Sequence, residues 1–508
     1  MHIKTRWAVA LYLTALLPLP SRADESFADL MAKAPDSANA ICLINISGIK
    51  NSPIGKRENL ASKHESEYLA GTAGINPKVQ KLVLAASVDP SSLQNTWEAA
   101  VVSRSDTISM EKLAKAHSGS LDKVNGQAVV FTPRNAAFVQ FEPKVGGVMR
   151  PANRQAVARW VRSVKTAAKP GLSPYLLAAA GKTKESQIIM AVDLSDMFDE
   201  EGIAYRLKNS KTLGNKGDIT KQTKVIAGIK GLTFTVDFTQ TLLGQLQIDF
   251  ADDVKPIKFL AKTMVLEAFD NIGAHIDDIS DWYVEAEGAS VKMRGKMTPK
   301  GIRQIISFIT PPADAVETVK DDGSPLEANQ DPKLVASQRY LAAITSYLGD
   351  LRDQKTKNFE GLAVWYDRYS QKIDNLPVLD VDSDLLHYGS NVSNTLRAIS
   401  QSARGVPIKQ GVLTQQETHI QGGGYTPYNY GYANSYGAGY GTAWGYQYLD
   451  VSNYKAVQDA RKNVNSGEYL ARMDAWKMLD TETARIRKEM TLKYKVEFKT
   501  GGSQLKTD

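Results

Sequence analysis

Two neighbouring stretches that alternate apolar and polar residues constrain the fold more than any other feature of the chain. In the first stretch, the apolar positions are Leu232, Phe234, Val236 and Phe238, and the polar ones are Thr233, Thr235, Asp237 and Thr239. In the second, Leu246, Ile248 and Phe250 alternate with Gln245, Gln247 and Asp249. Because successive side chains of a strand point to opposite faces, each stretch predicts a β-strand with one buried and one solvated face.

The order of periodicities around these strands predicts the architecture of a whole module. An apolar helical stripe from Val254 to Ile272 follows the two strands, and two more strands come next. Another helix begins at Thr298-Pro299. With the strand and helix that precede them, residues 187–310 predict the order β-α-β-β-α-β-β-α.

Residues 40–167 show the same order of periodicities as residues 187–310, although the amino-acid sequences of the two stretches barely match. We therefore predict an α+β protein with two similar modules, in which helices cover one face of a mainly antiparallel sheet. Accidental recurrence of a common pattern is the alternative.

The composition of the later stretches sets the remaining boundaries, and helical periodicity predicts a helical C-terminal region. Lys493–Phe498 alternates and is compatible with a last strand. The predicted order is a signal peptide (1–23), module 1 (24–170), module 2 (171–310), a linker (311–331), a helical region (332–420), a Tyr/Gly-rich loop (421–448), and C-terminal helices with a tail (449–508).

The first residues have the pattern of an export signal. Lys4 and Arg6 precede an uncharged run that is short for a membrane span, and Ser21-Arg22-Ala23 offers a cleavage site. We expect a mature protein beginning at Asp24, located in the periplasm or secreted; a retained membrane anchor is the alternative. Loss of Lys4, Arg6 and Arg22 lowers the formal charge from +7 to +4, so nucleic acid binding has no clear electrostatic signature.

The single cysteine, Cys42, lies in the apolar stretch Ala40–Ile46 and cannot form an internal disulfide. A buried, inert thiol is favoured over a nucleophile there.

Three aspartates and one lysine-containing motif are the remaining candidates for catalytic or ligand-binding residues. Asp277, Asp278 and Asp281 lie close together in the sequence between a predicted helix and a predicted strand. They are compatible with acid–base catalysis or with an ordinary polar loop. Gly181-Lys182-Thr183 resembles a phosphate-binding loop, but Leu176 replaces its first glycine, which favours a solvated turn. The histidines have no metal-ligand spacing, and no metal or cofactor is predicted.

The stretch from Gln421 to Tyr448 contains eight Gly, eight Tyr and one Trp, with no charged residue. It predicts a disordered loop, a loop packed on helices, or a binding surface for sugar or peptide. The candidate binding residues are Tyr425, Tyr428, Tyr430, Tyr432, Tyr436, Tyr440, Trp444 and Tyr446.

Segments at both ends of the mature chain carry a resemblance to known proteins. They are Pro35–Ile46, Asn51–Gly55, Arg485–Met490 and Lys493–Phe498. With the signal peptide, they resemble uncharacterised exported proteins of planctomycete-type bacteria. The resemblance implies an envelope location and transfers no functional residue.

The sequence thus predicts an exported, non-catalytic binding or scaffold protein of the periplasm or cell envelope. Its partner would be an envelope protein or a glycan, with no transmembrane segment after cleavage. The alternative from another class is a hydrolase with a carboxylate site between the two modules, using Asp277 or Asp281.

Overall fold

The computed structural model describes residues 25–498 with gaps. The residues left out are 70–74, 90–93, 134, 167–170, 211–212, 214–215, 272, 307–330, 353–359, 377, 379 and 404–453. The predicted signal peptide, the predicted linker apart from its last residue, and the Tyr/Gly-rich stretch therefore lie outside the described residues.

The strands account for both alternating stretches of the sequence. They are β1 (Ala40–Asn45), β2 (Val79–Asp89), β3 (Gln94–Arg104), β4 (Ser120–Val124), β5 (Gln127–Phe131), β6 (Ala137–Glu142), β7 (Val145–Arg150), β8 (Ile188–Asp193), β9 (Ile229–Phe238), β10 (Leu242–Phe250), β11 (Tyr283–Glu287) and β12 (Ser290–Lys296).

Helices connect the strands and form the C-terminal region. They are α1 (Phe27–Met31), α2 (Ile46–Asn51), α3 (Pro53–Arg57), α4 (Leu60–Leu69), α5 (Met110–Ala116), α6 (Arg154–Thr166), α7 (Pro174–Ala180), α8 (Glu200–Asn209), α9 (Ile219–Ala227), α10 (Ala261–Asn271), α11 (Pro299–Ile306), α12 (Pro332–Arg352), α13 (Ala363–Asp374), α14 (Ser383–Ala403) and α15 (Tyr454–Tyr494). Short 3₁₀ helices lie at Gly181–Lys184, Lys255–Ile257, Asp277–Asp281 and Glu360–Leu362.

All of these strands belong to one twelve-stranded sheet in the order β11-β12-β10-β9-β8-β1-β2-β3-β7-β6-β5-β4. Every pairing is antiparallel. The two halves join through β1 and β8, so they share a sheet instead of having one each. The α+β class with a helical C-terminal region is confirmed.

Duplication of the module stays a prediction. From the central pair outward, one half runs β1, β2, β3, β7, β6 and the other runs β8, β9, β10, β12, β11. The first half differs from the predicted plan because four strands follow α5, where the sequence indicated two. The missed strands are β4, which is mostly polar, and β7, which contains Gly146 and Gly147. Both compositions give a weak strand signal.

The sheet has two faces with different coverings. On the bundle face, Cys42 and Ile44 belong to a large apolar core that includes residues of α12, α13, α14 and α15. On the outer face, Ile41 and Leu43 belong to a second core with residues of α1, α6 and α7. The expectation that helices cover one face is therefore wrong for the first half, whose central strands are covered on both.

Cys42 lies in the middle of β1 with 2% of its surface exposed. Burial raises the pKa of its thiol, which disfavours the nucleophilic thiolate. The prediction of a buried thiol is confirmed.

The C-terminal helices pack on the bundle face and are tied to the second half by ion pairs and hydrogen bonds. Arg303 of α11 donates to both carboxylate oxygens of Asp350 on α12, at 2.9 and 2.6 Å. Tyr369 of α13 also donates to Asp350, at 3.1 Å. The possible last strand at Lys493–Phe498 is wrong, because α15 continues to Tyr494 and a turn follows. No helix in the described part of the chain is long and apolar enough to cross a membrane.

Candidate binding surface on the outer face of the sheet

The outer face of the second half is polar, and helices cover only its inner strands. Thr233, Gln247 and Lys292 form one row across β9, β10 and β12, and Thr235, Gln245 and Arg294 form the next. We call the following residues the polar face: Thr233, Thr235, Gln245, Gln247, Asp249, Tyr283, Glu285, Ser290, Lys292 and Arg294. The predicted alternation between a buried and a solvated side is confirmed for β10, but it is wrong for the middle of β9, where Thr233 and Thr235 are buried as well as Phe234.

A ledge borders the polar face on the side of the central strands. It consists of α7 and the 3₁₀ helix Gly181–Lys184 that continues it. Ser173 caps α7 by accepting a hydrogen bond from the Leu176 amide, and Pro174 occupies the first helical position. Leu176 is fully buried against the sheet, which fixes the ledge over β8 and β9.

Tyr175 connects this ledge to the polar face. Its hydroxyl donates to Oδ2 of Asp249 at 3.0 Å and lies 3.2 Å from Oγ1 of Thr233. Asp249 Oδ1 accepts from Ser290 Oγ and from Gln247 Nε2, both at 2.7 Å. Burial and the neighbouring Asp249 raise the pKa of Tyr175, so its phenol stays protonated as a donor. A connected set of donors and acceptors is thereby held in fixed positions.

The close approach of Tyr175 requires glycine at position 231. A Cβ at Gly231 would lie 2.3 Å from Cε1 of Tyr175 and 2.6 Å from the Val192 carbonyl oxygen. Gly231→Ala is expected to lower the free energy of unfolding by about 1–2 kcal/mol, because the ring must move away from the sheet. Urea unfolding measures the loss, and amide exchange within residues 173–184 should become faster.

Gly181→Ala is the matched control for this prediction, since a Cβ at that position meets nothing within 4 Å. It should leave both the free energy of unfolding and the amide exchange nearly unchanged. Equal effects of the two substitutions would contradict the close packing of Tyr175.

Lys182 provides the second contact of the ledge with the polar face. Its Nζ donates to Oε1 of Gln247 at 3.0 Å, and its side chain is half-buried. Burial lowers the pKa of the ammonium group, Asp249 partly offsets this, and Lys292 lowers it further. The sequence indicated a solvated turn here, and that prediction is wrong for Lys182, because α7 places it over the strands.

Charges of both signs lie on this side of the second half. The cations include Lys182, Lys292, Arg294 and Lys296, and the carboxylates include Asp193, Asp237, Asp249, Glu285 and Glu287. Glu285 is paired with Arg294 at 3.2 Å. Such a surface offers many donors and acceptors without the excess positive charge that a nucleic acid needs.

The predicted carboxylate cluster lies elsewhere, at the contact with the C-terminal helices. Asp277 pairs with Lys300 Nζ at 3.1 Å and with His275 Nε2 at 3.4 Å. His275 Nδ1 lies 2.6 Å from Asp270, so carboxylates occupy both of its ring nitrogens. A general base must have one nitrogen free for the proton that it accepts.

The other two carboxylates of that cluster have ordinary surroundings. Asp278 accepts hydrogen bonds from the Thr298 amide at 2.8 Å and from the Thr298 hydroxyl, just before α11. Asp281 is exposed at the end of its 3₁₀ helix. Within the described residues, no group of His, Cys, Asp and Glu is arranged to hold a metal ion.

Two depressions lie outside the polar face. The first, about 70 Å³, lies beneath α5 and is lined mainly by apolar side chains including Ile108, Met110 and Phe138. It is far smaller than the roughly 300–1,000 Å³ of a typical small-molecule pocket. The second, about 330 Å³, lies between α12 and α15, and the Arg352–Asp480 ion pair lines it.

The residues proposed from the Tyr/Gly-rich stretch lie outside the described residues. The polar face was not among the binding sites predicted from the sequence, although the strands that form it were predicted. The signal that could have indicated it is the unusual density of Thr, Gln and Asp on the polar side of two adjacent strands.

Comparison with known proteins gives no family for this chain. No protein-family model matches the sequence, and the curated proteins contain no match. Crystal form I of the protein TP0453 is similar over 55% of this chain and 97% of its own, with 11% identity and a TM-score of 0.34. Crystal form III covers 53% and 93%, with 14% identity and a TM-score of 0.32. Similarity at this level carries no argument about fold or function.

Proposed function

We propose that this chain is an exported, non-catalytic binding protein of the periplasm or cell envelope, and that its polar face binds a glycan. The observation that supports this is the hydrogen-bonded group of Tyr175, Asp249, Gln247 and Ser290 beside the partly exposed Gln245 and the exposed Lys292 and Arg294. These groups are held in place before any ligand arrives, which reduces the entropy cost of binding.

The chemistry of the polar face favours a sugar chain over a peptide. Each saccharide hydroxyl both donates and accepts, and here amide, hydroxyl, carboxylate and ammonium groups alternate over three strands. Tyr283 is 66% exposed and Leu243 is 39% exposed on the same side. They offer apolar contact to the C–H faces of sugar rings. A peptide would instead need separate pockets for its apolar side chains.

Other parts of the proposal come from the sequence. Export and the envelope location rest on residues 1–23 and on the resemblance to exported planctomycete-type proteins. The Tyr/Gly-rich stretch 421–448 is proposed as an additional binding surface. The hydrolase alternative gains no support from Asp277, because Lys300 forms an ion pair with it and both ring nitrogens of His275 contact carboxylates.

A binding measurement on oligosaccharides of defined structure tests the glycan proposal. We expect residues 24–508 to bind at least one of cellohexaose, chitohexaose and hexagalacturonate by isothermal titration calorimetry. Gln245→Ala with Tyr283→Ala should weaken that binding about tenfold or more, since it removes one amide and one exposed ring from the polar face.

Gln155→Ala with Tyr205→Ala is the matched control, because Gln155 is exposed on α6 and Tyr205 is 64% exposed on α8. This variant should bind as the unchanged chain does. Absence of binding to all three sugars, or equal weakening by both variants, would refute the proposed function.

A further inference from the structure

Two ammonium groups flank Gln247 on the polar face. Lys182 reaches it from the ledge, with Nζ 3.0 Å from Oε1. Lys292 lies directly opposite Gln247 on the neighbouring strand β12, and its side chain is exposed. Burial and the positive charge of Lys292 lower the pKa of Lys182, while Asp249 and Glu185 partly offset this.

Two carboxylates near these lysines, Asp249 and Glu285, already have other partners, and the exposed Glu185 acts on the charge of Lys182 without forming an ion pair with it. Asp249 accepts hydrogen bonds from Tyr175, Gln247 and Ser290. Glu285 lies opposite Lys292 on β11, but it is paired with Arg294. Within the described residues, neither Lys182 nor Lys292 forms an ion pair with a carboxylate.

We propose that Lys182 and Lys292 form a subsite for an anionic substituent, a carboxylate or a sulfate, on the glycan that the polar face binds. This inference rests on the proposed glycan-binding function and specifies the class of glycan. An anion between the two lysines removes their mutual repulsion and accepts charge-assisted hydrogen bonds from both. The ledge half-buries Lys182, so water screens this interaction less than on an open surface.

The positions of the two lysines also predict how the ligand is oriented on the polar face. The anionic substituent would lie over Gln247, in the row of Thr233 and Lys292. Neighbouring sugar rings would extend along the strands toward Gln245 and Tyr283, which lie in the next row. A neutral sugar would occupy the same rows without the two ammonium contacts.

Affinities for a charged and a neutral sugar of equal length test the subsite. Hexagalacturonate should bind about tenfold more tightly than cellohexaose at low ionic strength, and added salt should reduce this difference. Lys182→Met with Lys292→Met should abolish the difference, because it lowers the affinity for hexagalacturonate far more than the affinity for cellohexaose. A sulfated hexasaccharide in parallel shows whether carboxylate or sulfate is the preferred anion.

Two further variants keep this test decisive. Lys292→Met alone changes only an exposed side chain and should remove part of the preference even if the double variant folds poorly. Lys255→Met with Lys258→Met removes the same charge from two exposed residues outside the polar face and should retain the preference.

Two results would overturn the subsite. One is equal affinity for hexagalacturonate and cellohexaose, and the other is an equal loss in the control variant. In either case, the proposed function stands if binding still depends on Gln245 and Tyr283. Absence of binding to every probe refutes the subsite and the glycan-binding function together.

Discussion

Replacing Trp365 by alanine is expected to lower the free energy of unfolding by about 3–5 kcal/mol. Trp365 lies at the start of α13 with no exposed surface, in the core between the sheet and the C-terminal helices. Its Nε1 donates to the His275 carbonyl oxygen at 2.6 Å. The substitution leaves a cavity and removes a hydrogen bond that joins the second half to the helical region. Urea unfolding followed by far-UV circular dichroism measures the effect.

Trp365→Phe separates the two contributions, since it keeps most of the ring volume and removes the donor. It should cost clearly less than the alanine substitution. Trp97→Ala is a matched control on the outer face, where Trp97 is only partly buried and a smaller loss is expected. If Trp365→Ala cost no more than Trp97→Ala, the helical region would not be held to the sheet at this point.

Asp382→Asn is expected to cost about 2–3 kcal/mol at neutral pH, because two hydrogen bonds to a charged group are weakened. The Asp382 side chain is fully buried. Its Oδ1 accepts from Lys493 Nζ at 3.0 Å, and its Oδ2 accepts from Tyr494 Oη at 2.8 Å. The carboxylate thus holds the end of α15 against the start of α14.

This contact also predicts a dependence of stability on pH. Burial alone would raise the pKa of Asp382, but hydrogen bonds from Lys493 and Tyr494 outweigh it and hold the pKa at about 2. Since the folded-state pKa is below the unfolded value of about 4, the stabilisation is complete above pH 4 to 5. It is lost as the pH falls from about 4 to about 2.

Urea unfolding between pH 2 and pH 7 therefore checks the role of Asp382. The difference in unfolding free energy between the unchanged chain and Asp382→Asn should be constant near neutrality and shrink toward pH 2. Asp281→Asn, at an exposed carboxylate, should change stability by no more than about 0.5 kcal/mol. A difference that stays constant down to pH 2 would contradict the ionised, buried state of Asp382.

The sequence predicted the elements whose periodicity tertiary contacts reinforce. The alternation in β10 succeeded because Leu246 packs in the core while Gln245 and Gln247 are partly exposed, whereas in β9 Thr233 and Thr235 are buried on the outer side as Phe234 is on the other. The alternation at Lys493–Phe498, by contrast, wrongly indicated a strand. There the helix continues to Tyr494, and the hydrogen bonds from Tyr494 to Asp382 and from Arg487 to the Phe498 carbonyl hold residues 494–498 in place. Long-range contacts of this kind leave no local pattern.

Only the strand residues of the candidate site could be predicted from the sequence. Thr233, Gln247 and Asp249 were recognised as lying on the polar side of two strands, although Thr233 is buried in the structure. Tyr175 and Lys182 join them from α7 and the 3₁₀ helix after it, tens of residues earlier in the chain. That meeting depends on how α7 packs over β8 and on the glycine at 231, and no spacing along the sequence encodes either.

The position of β1 has a consequence for how the chain reaches its final state. Of the strands in residues 25–498, this one is synthesised first, yet it lies at the centre of the sheet between β2 and β8. Until β8 emerges from the ribosome, almost 150 residues later, one edge of β1 has unpaired backbone groups and apolar side chains on both faces. Such an edge can pair with another nascent chain. The stretch from Ala40 to Asn45 is therefore the segment that a chaperone would most need to shield during biosynthesis.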